Sequence, residues 1–176
     1  MKKVGLILEG GGTKGIFTAG ALDSLQDNDI YLPYVVSVSI GTWNAIHYLS
    51  KQRGRIKECL IPNRQGIPFI HWKHLVKKKT WIDIDRVFAD EKTPFDYETY
   101  HNASIRSEYV VTNCLTGKAE YLAEKSDCKR LQNICLASSS VPYVSSMTMV
   151  DGISYLDGGI SDAIPIRHVM ELGYEK

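Results

Sequence analysis

The sequence predicts a parallel α/β fold, and three features carry that expectation. Val4-Gly5-Leu6-Ile7-Leu8 and Tyr34-Val35-Val36-Ser37-Val38 are short apolar runs of strand length. Each gives way at once to a stretch with helical spacing, about Ile16–Gln26 and Trp43–Ser50. Strand, helix, strand and helix within fifty residues suit parallel strands joined by crossover helices.

The first run reads as a strand buried on both faces and broken by Gly10-Gly11-Gly12; in the helix after it, Ala19, Leu22 and Leu25 recur at helical intervals. Residues 51–100 change character. They are rich in Lys, Arg, Asp and aromatics, are punctuated by Pro62, Pro68 and Pro94, and read as a lid or insertion with short helices. Tyr109–Thr112 and Ala119–Leu122, with Thr116-Gly117 between them, read as a hairpin or two adjacent strands. A helix is expected over Leu131–Ser138. Asp151-Gly152 marks a tight turn between two short strands within Thr148–Leu156, and a last helix is expected over Pro165–Leu172. The ending Glu171–Lys176 stops where an α/β unit would begin another strand, so residues 1–176 read as a single domain that lacks a C-terminal part.

Composition narrows the function classes. The chain has 176 residues, 44% hydrophobic and 23% charged, which suits one folded domain rather than a disordered segment. Twenty-one Lys and Arg against twenty Asp and Glu give a net charge of +1, which offers nucleic acid no basic surplus. Cys59, Cys114, Cys128 and Cys135 form no Cys-x-x-Cys pair and predict reduced thiols in a cytoplasmic protein. The apolar run after Lys2-Lys3 ends at Glu9, short of the roughly 7–15 residues of a signal core. His71-x-x-His74 has no accompanying acidic ligand, so neither a metal nor a cofactor is expected. Lys77-Lys78-Lys79-Thr80-Trp81-Ile82 reads as a solvated loop or as a contact with an anionic lipid surface.

Three segments carry candidate chemistry. Gly10-Gly11-Gly12-Thr13-Lys14-Gly15 lies between a strand and a helix, where side-chain-free backbone and the helix dipole favour an oxyanion or a phosphate. It fits Gly-x-Gly-x-x-Gly, so a nucleotide- or phosphate-binding module without hydrolysis is a rival reading, as is a tight turn with no ligand. A dinucleotide site also wants an acidic residue at the end of the second strand, where this chain has Ser37 and Ser39. Ser37-Val38-Ser39-Ile40-Gly41 has the strand-to-helix setting of a nucleophile elbow, in which a sharp turn lifts the serine hydroxyl off the sheet; Ser39 reads equally as a helix cap. Tyr155-Leu156-Asp157-Gly158-Gly159 puts a carboxylate on a turn, or is an ordinary Asp-Gly turn. His168 follows Asp157, so a Ser-acid-His triad is also weighed, against the expectation that His168 is a packing or surface residue of the last helix.

In this order, the glycine loop with Lys14 and Gly15, the serine elbow with Gly41, and Asp157-Gly158-Gly159 resemble the patatin-like phospholipases, nearest the bacterial branch. Ala137–Tyr143 and Asp162-Ala163-Ile164-Pro165-Ile166 resemble the segments that flank the family's Asp-Gly-Gly, so the likeness spans nearly the whole chain. The resemblance implies a three-layer α/β/α fold with a mainly parallel sheet. It also implies a serine acyl hydrolase of lipid or other carboxylic esters. Ser39 would be the nucleophile, Asp157 the base, and the amides of Gly10, Gly11 and Gly12 the oxyanion hole. Ser37 replaces the first glycine of the elbow, and Ile40 and Trp43 stand where small residues are usual; this crowding predicts a narrowed acyl site or a catalytically weak relative.

Overall fold

The computed structural model describes residues 3–60, 87–89 and 94–175. A six-stranded sheet is built from β1 (Leu6–Leu8), β2 (Tyr34–Val38), β3 (Arg106–Asn113), β4 (Ala119–Leu122), β5 (Thr148–Val150) and β6 (Ile153–Asp157). The helices among the described residues are α1 (Gly15–Asp27), α2 (Ile40–Leu49), α3 (Arg55–Leu60), α4 (Tyr97–Asn102), α5 (Cys128–Ser138) and α6 (Ile166–Glu171).

Period-two alternation builds two cores from one sheet. Val35, Tyr109 and Val111 face Leu22, Trp43, Ile46, Leu131 and Ile134 of α1, α2 and α5. Tyr34, Val36, Val38 and Val110 face the other way, against Val169 of α6 with Leu172 and Tyr174. Helices thus cover both faces in three layers. Every residue of α2 is buried, as befits a helix apolar nearly all round. Its N-terminus, which follows Ser39, is therefore fixed from all sides.

The sheet is mixed. β1, β2 and β3 are parallel, while β3–β4, β3–β6 and β5–β6 are antiparallel. The parallel rhythm of the first fifty residues therefore extends only as far as β3. β1 also differs from the doubly buried strand its apolar run suggests: among the described residues it pairs on one side only, with β2, and Leu6 and Ile7 keep partial exposure.

The register at β3 positions the site. β4 lies along one edge of β3, opposite Tyr109 to Thr112. The other edge is shared: β2 occupies it as far as Val38 opposite Val110, and β6 takes over with Asp157 opposite Val111. Where β2 ends, β6 ends, from the opposite direction.

Candidate active site

Ser39 follows β2 directly and adopts φ 54° and ψ −123°, a region that costs a non-glycine residue on the order of 1–3 kcal/mol. The strain is characteristic of a nucleophile elbow. Space for so sharp a turn comes from Gly41, where a Cβ would lie 2.4 Å from the Leu8 carbonyl oxygen. Any side chain there would push α2 off the end of β1.

Asp157 is the last residue of β6. Its neighbour Gly158 passes so close to β3 that a Cβ would lie 2.2 Å from the Val110 carbonyl oxygen. The shared edge thus brings together residues 118 apart in sequence: Ser39 Oγ donates to Asp157 Oδ2 at 2.6 Å. The other carboxylate oxygen accepts the Gly159 N–H at 2.8 Å, and the Asp157 N–H donates to the Ser140 carbonyl at 2.9 Å. The carboxylate expected on a turn is therefore buried at a strand end, 6% exposed beside a Ser39 that is 7% exposed.

Burial raises the Asp157 carboxyl above its usual pKa, and the Ser39 hydroxyl and Gly159 amide only partly counter it. A carboxylate in this state is more basic than one in water, which suits proton abstraction from an alcohol.

Gly10, Gly11 and Gly12 line the same pocket, of about 430 Å³, with Glu9, Ser39, Val141, Pro142, Asp157, Gly159, Ile160 and Ala163. A Cβ at Gly10 would lie 3.1 Å from that of Ser39, so the loop runs immediately beside the hydroxyl. Gly11 and Gly12 have φ of 138° and 57°, which side-chain-bearing residues rarely adopt. Lys14 is exposed, and its N–H closes the loop on the Gly11 carbonyl at 3.2 Å. Gly15 starts α1 against Ile40, where a Cβ would meet Ile40 Cγ1 at 2.6 Å.

Ile40 and Trp43 are in the core and are absent from the pocket lining. Ile40 fills the space left by Gly15, and the Trp43 indole N–H donates to Ser139 Oγ at 2.8 Å. Their bulk joins α2 to its neighbours and leaves the pocket open. Ser37 is buried, and its hydroxyl donates to Thr42 Oγ1 at 3.4 Å.

Neither described histidine of interest reaches the site. His168 Nε2 donates to Glu108 Oε2 at 2.6 Å and its ring stacks on Tyr121, on the α6 face of the sheet. His47 is enclosed at the far end of α2, with Nδ1 donating to the Trp43 carbonyl at 2.6 Å and Nε2 facing Arg55; burial and that guanidinium push its pKa down to about 3. His71, His74 and the Lys77–Ile82 segment lie outside the described residues, as does most of the expected lid; α3 and α4 are its described short helices.

Sequence reasoning missed the role of Ser138, whose hydroxyl accepts the Ser39 N–H at 2.9 Å. The only signal was its place in the small-residue segment before Pro142.

Comparison with known proteins agrees with the layout. Residues 6–170 match the family described as Patatin-like phospholipase. The chain is 29% identical over 190 residues to the uncharacterized protein YjjU of Escherichia coli K12, covering 97% of this chain and 49% of that protein. The crystal structure of VipD from Legionella pneumophila superposes with a TM-score of 0.53 at 15% identity, covering 94% of this chain and 47% of that one. The chain spans about half the length of these two relatives. With β1, the glycine loop, the serine elbow and Asp157-Gly158-Gly159 all inside the matched residues, the chain belongs to the patatin-like phospholipase family.

Proposed function

We propose that the chain is a serine acyl hydrolase of lipid carboxylic esters that works through a Ser39–Asp157 dyad. The 2.6 Å hydrogen bond from Ser39 Oγ to Asp157 Oδ2, made at the wall of a pocket, is the observation that carries this reading. Asp157 takes the hydroxyl proton as Oγ attacks the ester carbonyl carbon. The carbonyl oxygen becomes an oxyanion facing the amides of Gly10–Gly12; losing one such donor typically costs about 2.7–4 kcal/mol of barrier. Collapse expels the alcohol, which takes the proton back from Asp157 and leaves acyl-Ser39. Water, deprotonated by Asp157, then attacks the acyl carbon; the bond to Ser39 Oγ breaks, Oγ takes that proton back from Asp157, and the acid is released.

Two carboxylates, Glu9 and Asp157, line the pocket, which disfavours a bound phosphate and with it the nucleotide-binding rival. Lipid is the favoured substrate class because the pocket wall continues outward as apolar surface. Val141 and Pro142 lead to exposed Tyr143 and Val144, and Ile160 and Ala163 to exposed Ile164. These side chains suit peripheral contact with a lipid aggregate. Among the described residues no helix is long and apolar enough to cross a membrane.

A fluorophosphonate probe tests the dyad. Wild-type protein should be labelled covalently, and labelling should vanish in Ser39→Ala. A folded wild-type chain that takes up no probe and cleaves no ester would remove the hydrolase reading.

A further inference from the structure

The segment Ser138-Ser139-Ser140, at the C-terminal end of α5, touches both members of the dyad, and its hydroxyl network can be directed without seeing a hydrogen. Ser138 Oγ lies 2.8 Å from the Val110 carbonyl oxygen, which can only accept, so the one Ser138 proton points there. Its two lone pairs are left for the Ser39 N–H at 2.9 Å and for Thr42 Oγ1 at 3.0 Å, so Thr42 must be the donor. Thr42 in turn accepts from Ser37. Every capacity of the fully buried Ser138 hydroxyl is used.

Val110 is also where β2 gives way to β6 along β3. Two residues on from Ser138, the Ser140 carbonyl holds the Asp157 N–H at 2.9 Å. Between them, Ser139 Oγ takes the Trp43 indole N–H from the helix that follows the elbow. We infer that Ser138 is a positioning residue: its hydroxyl pins the strained Ser39 backbone to the β3 junction and so keeps Oγ aligned on Asp157, which the same turn of chain holds from the other side. Ser37, the elbow's departure from glycine, is the outer member of this network. Its 3.4 Å contact makes it a weaker one.

This inference rests on the dyad reading, and the test separates the two. Ser138→Ala should lower kcat by about tenfold to a hundredfold with KM within about twofold, since the loss is of alignment rather than of substrate binding. The acid limb of the pH profile should move upward, because a misaligned Ser39 hydroxyl no longer favours the ionised Asp157. Ser50→Ala, which removes a buried hydroxyl from the opposite end of α2, is the control and should leave kcat and the acid limb in place. The Ser39 amide provides a readout independent of turnover: without its acceptor, its proton resonance should move upfield and its hydrogen exchange should quicken. An unmoved Ser39 amide overturns the inference whether or not the chain hydrolyses anything. So does a moved amide with wild-type kcat and acid limb. A wild-type chain that labels with no fluorophosphonate and cleaves no ester instead sinks the dyad reading, and the catalytic half of this inference with it.

Discussion

Two buried carboxylates, Glu108 of β3 and Asp157 of β6, which stands opposite Val111 three positions further along β3, are treated in opposite ways. Glu108 points to the α6 face, where Tyr34 Oη donates at 2.7 Å, His168 Nε2 at 2.6 Å and Arg106 Nη2 at 2.5 Å. Burial works against its charge, yet these donors and the guanidinium together hold its carboxyl below the usual range. Asp157, opposite Val111, has two donors, Ser39 and Gly159, and among the described residues no cation pairs with it. Its carboxyl is raised. A carboxylate surrounded by donors and a cation is stable and inert, whereas one left short of partners keeps its affinity for a proton. The contrast separates a structural acid from a candidate base in one small sheet.

Asp157→Asn should break the contrast most severely. The amide cannot take the Ser39 proton, so turnover should fall by about a thousandfold or more, the range spanned by loss of a catalytic base. Stability should move the other way. Because the folded-state pKa is raised, Asp157 favours folding while protonated, and that contribution is lost as pH rises from about 3.9 through the raised value. At pH 7 the Asn variant should therefore melt no lower than wild type. A variant that melts several degrees lower would show that the charge stabilises the fold.

Glu108→Gln should show the mirror image. A lowered pKa means that ionised Glu108 stabilises the fold above about 4.3, and that this is lost as pH falls through the lowered value. The variant should lose on the order of 2 kcal/mol at pH 7, discounted for the half-exposed Arg106, and lose less below pH 4. Denaturant titrations at pH 7 and pH 3.5 check the sign; equal losses at both would refute the linkage. Ester turnover at pH 7 should stay within about threefold.

His168→Ala should be the mildest. It removes one donor to Glu108 and the stacked Tyr121 ring contact, worth about 1–2 kcal/mol of stability. Turnover and its acid limb should not move, since no histidine relays the proton in a dyad. A His168→Ala protein as inactive as Asp157→Asn, and equally well folded, would replace the dyad by a triad.

Much of this is legible in the sequence. The strands at Tyr34–Val38 and Ala119–Leu122 and the three motifs at element boundaries follow from local chemistry: glycines for close approach, β-branched runs for a pleated surface. The Asp151-Gly152 turn likewise gives β5 and β6 as a hairpin. What a run of residues does not encode is direction. Nothing in Ile153–Asp157 says that it pairs antiparallel to β3, because that depends on which edge β2 leaves open. Glu108 was invisible for a related reason. A charged residue beside Tyr109 reads as the end of a strand, and its partners Tyr34 and His168 lie 74 and 60 residues away. Ser138 reads as a small residue whose hydroxyl matters only once Ser39 is folded against it.

The division of one β3 edge between β2 and β6 also sets a schedule. On the dyad reading, a chain in which β1, β2 and the elbow have formed still carries an ordinary alcohol at position 39, because its base arrives 118 residues later. Chemistry on that reading waits for β6, so a partly synthesised or locally opened protein is silent toward the esters around it. On that reading, the contact that arms Ser39 cannot form before Asp157 is in place.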